Sequence, residues 1–310
     1  MSGQQRIYKQ KIRSTQTLQK VFSAMEMIAA SRVGKARSVA ERGTTYDRAL
    51  TQAVAAVSAH ADMDHPLTSQ RSDTNRVAVL VVTSDRGMAG AYSATILRET
   101  ERQLQDLVEE GKEPILYVTG RRGVSYFNFR ERKIVKSWTG QSDSPTEELA
   151  KEVADTLLAS FLAPADEGGV SELHVIFTKF RSMVTQVPQV RKMLPIKVVD
   201  PEDAKPIEID GLSGPDIIPP DVMPLYEFEP SPEEVLGALL PLYVRSRIRF
   251  ALLQAAASEL ASRQNAMHTA TENAEEIIRN YTRMANAARQ AEITQEITEI
   301  VSGADALEAS

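Results

Sequence analysis

The chain has 310 residues, a formal net charge of −6 and no cysteine, which allows one large domain or two smaller ones and excludes disulfides, thiolate catalysis and Cys-ligated metals. The acidic balance argues against nucleic acid, and the opening MSGQQRIYKQKIRS lacks the apolar core of a secretory signal. The longest apolar stretch, VLGALLPLYV at 235–244, is too short to span a bilayer, so a soluble intracellular protein is expected.

Residues 4–58 contain no proline. Stepping alternately by four and three from Leu18 reaches Phe22, Met25, Ala29, Arg32, Ala36, Val39, Gly43, Tyr46, Leu50, Ala53 and Val57, a nearly continuous heptad seam. The spacing predicts one helix of roughly 80 Å, longer than an ordinary domain is wide. Its first part is basic: residues 1–42 carry nine Lys/Arg against Glu26 and Glu41, a local balance of +7. An acidic partner would explain that excess, and an ordinary solvated helix face would also hold it.

Residues 76–195 have another texture. Val77–Thr83 is a short continuous apolar run suited to a buried parallel strand. The Gly-containing turn DRGMAGAYS follows, then a helix to about Glu110, a strand at Pro114–Val118, a helix at Glu147–Leu162 and a strand at Leu173–Phe177. A hairpin-like pair is predicted around Met183–Lys197. Strands alternating with helices imply a βαβ sandwich with a mainly parallel sheet. Residues 199–230 are acidic and proline-rich and are expected to form a long surface loop.

A second long helix opens at Ser231-Pro232-Glu233-Glu234, with Ser231 as N-cap, Pro232 in the first turn and Glu234 completing a capping box. Its seam runs Leu253, Ala256, Leu260, Arg263, Met267, Ala270, Ala274, Ile277, Tyr281, Met284, Ala288 and Ala291, and Pro241 is expected to bend the helix without ending it. An antiparallel coiled coil of the two terminal helices is the simplest way to bury both seams. The expected organisation is therefore a shaft from residues 1–60 and 231–310, with an α/β domain at 70–230 inserted at one end.

Pairing residue 58 near 235 sets residue 4 near 289. The helix beyond Arg289 then has no internal partner, yet Ile293, Ile297, Ile300 and Val301 form one apolar stripe there. A bare stripe of this kind is an association surface. Its cover is another molecule, a second copy of this chain, or the α/β domain.

Four segments carry a resemblance: IRSTQTLQKVFSAMEMIAASRVGKAR at Ile12–Arg37, SDRGMAGAYS at Ser84–Ser93, ALLQAAASELASRQNAMHTATENAEEII at Ala251–Ile278, and ARQAEITQEITEIVSGA at Ala288–Ala304. In this order they resemble the gamma subunits of F-type ATP synthases over nearly the whole chain. Ser93 stands where that family commonly has Asn, and Ile297 where Leu is usual. Residues 164–170 and 199–224 lie where the family varies most.

The resemblance implies a long antiparallel coiled coil with an inserted Rossmann-like α/β domain, acting as a central rotor shaft without catalytic residues or cofactors. It implies one copy per complex, alpha, beta and epsilon subunits and the c-ring as partners, and a peripheral position on the cytoplasmic face of the membrane. Ile293, Ile297, Ile300 and Val301 would face an apolar bearing, while Arg289, Gln290, Thr294 and Glu296 could make switchable hydrogen bonds. Met25 with Lys20, Arg32, Lys35 and Arg37 would pass acidic beta-subunit loops. Tyr226, Phe228 and Glu229 would belong to the foot near the c-ring.

Two alternatives come from the residues themselves. Glycines in DRGMAGAYS after one strand and arginines in TGRRG (Thr119–Gly123) after the next echo an NADP site, although Gly87 and Gly90 give G-x-x-G rather than G-x-G-x-x-G. The other is a homodimeric coiled-coil scaffold with an α/β head. His60, His65, His174 and His268 lack metal-ligand spacing, and no G-x-S-x-G elbow is present.

Overall fold

A computed structural model gives the architecture and describes residues 3–58, 65–196 and 228–308. Most of the predicted acidic loop, including Tyr226, lies outside the described residues. In chain order the elements are α1 (Gly3–Ser58), β1 (Arg76–Val82), α2 (Tyr92–Glu109), β2 (Glu113–Thr119), α3 (Arg121–Phe129), β3 (Ile134–Trp138), α4 (Glu147–Leu162), β4 (Glu172–Phe180), β5 (Gln186–Leu194) and α5 (Pro232–Glu308). The chain divides into two compact units, one comprising the parts up to Ser31 and from Arg263, the other Arg32–Ser262.

The Arg32–Ser262 unit is built on a five-stranded sheet in the order β3-β2-β1-β4-β5. β1 pairs in parallel with β2 and β4, β2 pairs in parallel with β3, and β5 runs antiparallel to β4. The continuous apolar run of β1 follows from burial on both faces. Val77, Val79 and Val81 pack with Ile96 and Leu104 of α2 and Phe127 of α3. Ala78, Leu80 and Val82 pack on the opposite face with Leu157 and Phe161 of α4, Val244 and Ile248 of α5, and Val54 and Val57 of α1. Thr146 caps α4 by accepting from Leu149 N at 3.2 Å, and Ser231 Oγ accepts from Glu234 N at 3.3 Å at the start of α5. α5 continues through Pro241.

Three elements depart from expectation. The hairpin is formed by β5 with β4 itself, around a turn in which the Arg181 and Ser182 N–H groups both donate to Thr185 O. α3 and β3 have no counterpart in the predicted order. β3 is a five-residue edge strand of mixed polarity whose register with β2 shifts at Leu116/Tyr117, so neither period-2 alternation nor an apolar run marks it.

Within this unit the buried seam of α1 is Val33, Ala40, Asp47, Leu50, Val54 and Val57, with Ala36 and Gly43 half-buried. The predicted seam shares every seventh position with it but takes the wrong intermediate one. Arg32 and Tyr46 are exposed, and Val39 and Ala53 only half-buried, because the packed position is four residues on from the shared one rather than three. Asp47 made that register look polar. It is accommodated by α5: Arg247 Nη1 donates to Asp47 Oδ2 at 2.7 Å, and Ser246 Oγ donates to Oδ1 at 3.0 Å.

At the start of β4 a buried carboxylate gathers three donors. Glu172 accepts from Lys192 Nζ at 2.7 Å, Lys112 Nζ at 3.1 Å and His174 Nε2 at 2.8 Å. Burial alone would raise its pKa, but these three bonds outweigh it and hold the group down at about 2. Burial pushes the His174 imidazole below its ordinary value and outweighs the upward pull of Glu172, with the two lysine cations adding a smaller push downwards. His174 is therefore the neutral Nε2–H tautomer, with a bare Nδ1 lone pair in the interior. Both shifts act in one direction. The unfolded imidazole takes a proton as pH falls through about 6.5, and the unfolded carboxylate does so below about 4.3, before either folded group follows. Urea midpoints of the full chain are expected to fall from pH 7 to 5 and again towards pH 3.5. Glu172→Gln should lose most of the second decline, which reflects a contribution on the order of 2 kcal/mol after partial solvent screening. Flat midpoints across that range would refute this assignment.

In the other unit α1 and α5 pack antiparallel. Tyr8 stacks on Tyr281 with centroids 6.2 Å apart, and Lys11 Nζ lies 5.2 Å from the Tyr281 ring. Gln19 Nε2 donates to Glu275 Oε1 at 3.0 Å, and Glu26 Oε1 is 2.9 Å from His268 Nδ1. The buried positions are Gln5 and Ala29 on α1 and Arg263, Met267, Ala274 and Ala285 on α5. The α5 seam thus drifts from the predicted one: Ile277 and Met284 are exposed, while Ile278 is half-buried and Ala285 buried. An undistorted helix slips against a strict heptad in this direction.

Candidate functional site: the exposed helix faces

A helix that packs along only one stripe is expected to present polar residues elsewhere. α1 does not follow this. Ile7, Leu18, Val21, Met27 and Ile28 are all exposed, Met27 at 65%. Leu18 belonged to the predicted seam and faces outwards instead. Ile7, Val21, Met27 and Ile28 were not singled out in the sequence at all, although their apolar character off the heptad was the available signal. Met25 beside them is half-buried.

The basic residues of α1 divide. Lys20 and Lys35 are exposed. Arg37 pairs along its own helix with Glu41 at 2.7 Å, a pair of small energetic weight. Arg32 Nη1 lies 2.7 Å from Asp143 Oδ2 in the segment after β3, so it ties α1 to the sheet within the Arg32–Ser262 unit.

On α5, Ile293, Ile297, Ile300 and Val301 are exposed, Ile300 at 71%. They share one face by their spacing. Arg289, Gln290, Thr294 and Glu296 are exposed beside them. The Thr294 hydroxyl donates to Gln290 O at 2.9 Å, which leaves it free to act only as an acceptor towards another molecule. Glu229 is exposed, whereas Phe228 packs against the apolar cluster shared by α4 and α5 and so offers little free aromatic surface. Tyr226 lies outside the described residues.

The Gly-rich turns after β1 and β2 are packed against each other. A Cβ at Gly120, where φ is +90°, would lie 2.2 Å from Thr83 O, and one at Gly123 would lie 2.7 Å from Val118 Cγ1. The first N–H groups of α3 are taken within the chain: Arg121 N donates to Asp85 Oδ1, Arg122 N to Ser84 O and Gly123 N to Thr83 Oγ1. Ser93, where Asn was expected, bonds Ser84 through their hydroxyls at 2.7 Å. These glycines allow close strand–helix approach, a structural role. Among the described residues no group of three or more His, Asp or Glu side chains could hold a metal ion, and no helix is long and apolar enough to cross a membrane.

Comparison with known proteins bears on what such faces meet. The family model described as ATP synthase matches residues 4–307. A curated relative from Beutenbergia cavernae, ATP synthase gamma chain, is 64% identical over 310 residues, covering 100% of both chains. Gamma chains from Arthrobacter sp. (strain FB24) and Acidothermus cellulolyticus are 51% and 52% identical over 310 residues, covering 100% of this chain and 100% and 99% of theirs. Among solved structures, a chain of the Euglena gracilis mitochondrial ATP synthase matches with a TM-score of 0.66 at 17% identity, covering 99% of this chain and 95% of that one. A chain of the Tetrahymena thermophila enzyme, in its central stalk and c-ring, matches with a TM-score of 0.55 at 21% identity, covering 81% of this chain and 99% of that one. These two likenesses bear on the fold.

Proposed function

We propose a division of labour among the chain's surfaces on the premise that it belongs to the ATP synthase family, as a gamma chain. The chain is a non-catalytic central shaft. Residues 1–60 and 231–310 serve as that shaft, and residues 70–230 as the domain carried on it. Its partners are alpha and beta subunits around the shaft, with epsilon and the c-ring at the foot. One copy serves each assembly, which sits peripherally on the cytoplasmic face of the membrane.

A single asymmetric shaft in a near-threefold ring cannot contact three sites alike. Each face favours a different conformation of its neighbour, and it shifts that equilibrium only by its differential affinity for the states. Turning the shaft then drives each nucleotide site through the states in sequence. Two packed helices resist twisting better than one.

The observation that carries this reading is the exposed stripe Ile293, Ile297, Ile300 and Val301, which follows the Tyr8–Tyr281 stack along α5. It fits an apolar bearing supplied by other subunits. In this reading Arg289, Gln290, Thr294 and Glu296 make polar contacts beside it, and Lys20, Lys35 and Met25 pass along acidic loops. The same role extends to Met27 and Ile28.

Native mass spectrometry of the complex purified through a tag on this chain tests the assignment. One copy is expected, together with alpha, beta, epsilon and c subunits. Recovery of a stable homodimer without those subunits would overturn it.

A further inference from the structure

Three loops at the C-terminal ends of β1, β2 and β3 converge on one side chain. Asp85 Oδ1 accepts from Arg121 N at 3.1 Å, and Oδ2 accepts from Gly140 N at 2.7 Å and Ser142 N at 2.9 Å. Arg121 Nε lies 3.9 Å from Oδ1. Ser142 Oγ accepts in turn from Asp85 N at 2.8 Å. Arg121 N opens α3, so the positive end of a helix also points at the carboxylate. Burial opposes ionisation here, yet the bonds from Gly140, Ser142 and Arg121 prevail and hold the Asp85 carboxyl below its ordinary value.

A second feature lies beside it. A cavity of about 10 Å³ is bordered by Asp85, Thr119, Gly120, Trp138 and Ser142. Thr119 is 95% buried, and its hydroxyl has no partner within the protein. The space accepts about one water, and a buried hydroxyl left unsatisfied is unfavourable enough to require one.

We infer that these loops form a small-oxyanion site that the chain fills with its own carboxylate. Convergent backbone N–H groups, a helix N-terminus and a guanidinium are the elements from which anion sites are made. Asp85 supplies the anion permanently, binding the turns after three parallel strands to one another. The Thr119 hydroxyl and its cavity are the remaining, uncommitted part of the site. While Asp85 is present, a second anion is repelled and the wild-type chain takes up none. Without it, the cradle is open to a free carboxylate or oxyanion of similar size, for which formate is the smallest probe.

The test is thermal unfolding of the full chain as Asp85→Ala, titrated with sodium formate at ionic strength held constant with chloride. The variant is expected to melt well below wild type. Formate should raise its midpoint by about 3 °C or more, saturating within the tens of millimolar, as a ligand of the folded state alone does. Wild type should show no difference between formate and chloride. Asp85→Asn keeps the volume but places an N–H₂ among donors, so it should be destabilised and not rescued. In labelled Asp85→Ala protein the amide signals of Gly140 and Ser142 should move on titration. Equal responses to formate in all three proteins, or unmoved amides, would overturn the inference. If Asp85→Ala does not fold alone, the folded yield with and without formate becomes the readout, and no recovery counts against the site.

Discussion

Deletion of Ile293–Ser310 is expected to leave the sheet-bearing unit folded while lowering ion-driven ATP synthesis by the assembled complex by about tenfold or more. Burying one Ile or Val side chain is worth about 1.5–3 kcal/mol, and each 1.4 kcal/mol is about a factor of ten in an equilibrium. Loss of four exposed apolar side chains therefore exceeds what a rotor held by its stripe can absorb. Residues 293–302 of the deleted segment are exposed and belong to neither buried apolar cluster around the sheet, so the urea midpoint of the isolated chain should change little. Point variants refine the result. Ile300→Asp should reproduce much of the defect, because Ile300 is the most exposed member of the stripe. Ile300→Leu should be nearly silent. Full coupling in the deletion, measured in vesicles with an imposed ion gradient, would remove the stripe from the mechanism.

How much of this was legible in the sequence depends on the length over which a pattern persists. The two long helices repeat their period for many turns, so their existence and antiparallel pairing could be read directly. Their faces could not be read to the same accuracy. Stepping by three from Ala29 gives Arg32, and stepping by four gives Val33, and a strict heptad admits either choice. The register turns on Asp47, a carboxylate in a buried seam, which pattern reading penalises and which only its partners on α5 make acceptable. Leu18 shows the reverse error: an apolar residue counted inward faces outward, because nothing local states that another surface exists for it.

The sheet followed the same logic. β1 and the middle of β4 are buried on both faces and were visible as mostly apolar runs, whereas β3 is short, lies at the edge and carries Lys136 on its length. α3 begins at the TGRRG segment, whose glycines and arginines suggested a cofactor site. Its glycines instead close the gap between Thr83 and α3. The role of Asp85 was illegible for a different reason: its three donors come from residues 121, 140 and 142, which no spacing rule brings together. The terminal stripe was legible from its own spacing, and its four members are exposed.

The buried pair between α1 and α5 provides the second large effect. Asp47→Ala is expected to destabilise the full chain by about 3–5 kcal/mol, since it strands the Arg247 guanidinium in a mostly buried position. Arg247 lies 5.5 Å from the Tyr243 ring centroid, which holds its plane but does not replace the lost anion. A guanidinium is in effect always protonated in proteins, so the group stays charged when its partner is removed. Replacing both partners changes the outcome. Asp47→Leu with Arg247→Met removes the uncompensated charge and lets two apolar side chains meet in the seam, so the double variant should recover most of the loss. The same substitution pair makes the seam apolar in the register that Val33, Ala40 and Val54 already occupy. Chemical denaturation of the single and double variants is the measurement. A single-variant cost below about 1 kcal/mol, as for an exposed pair, or a double variant as weak as the sum of its singles, would mean that the pair does not hold the register of the two helices.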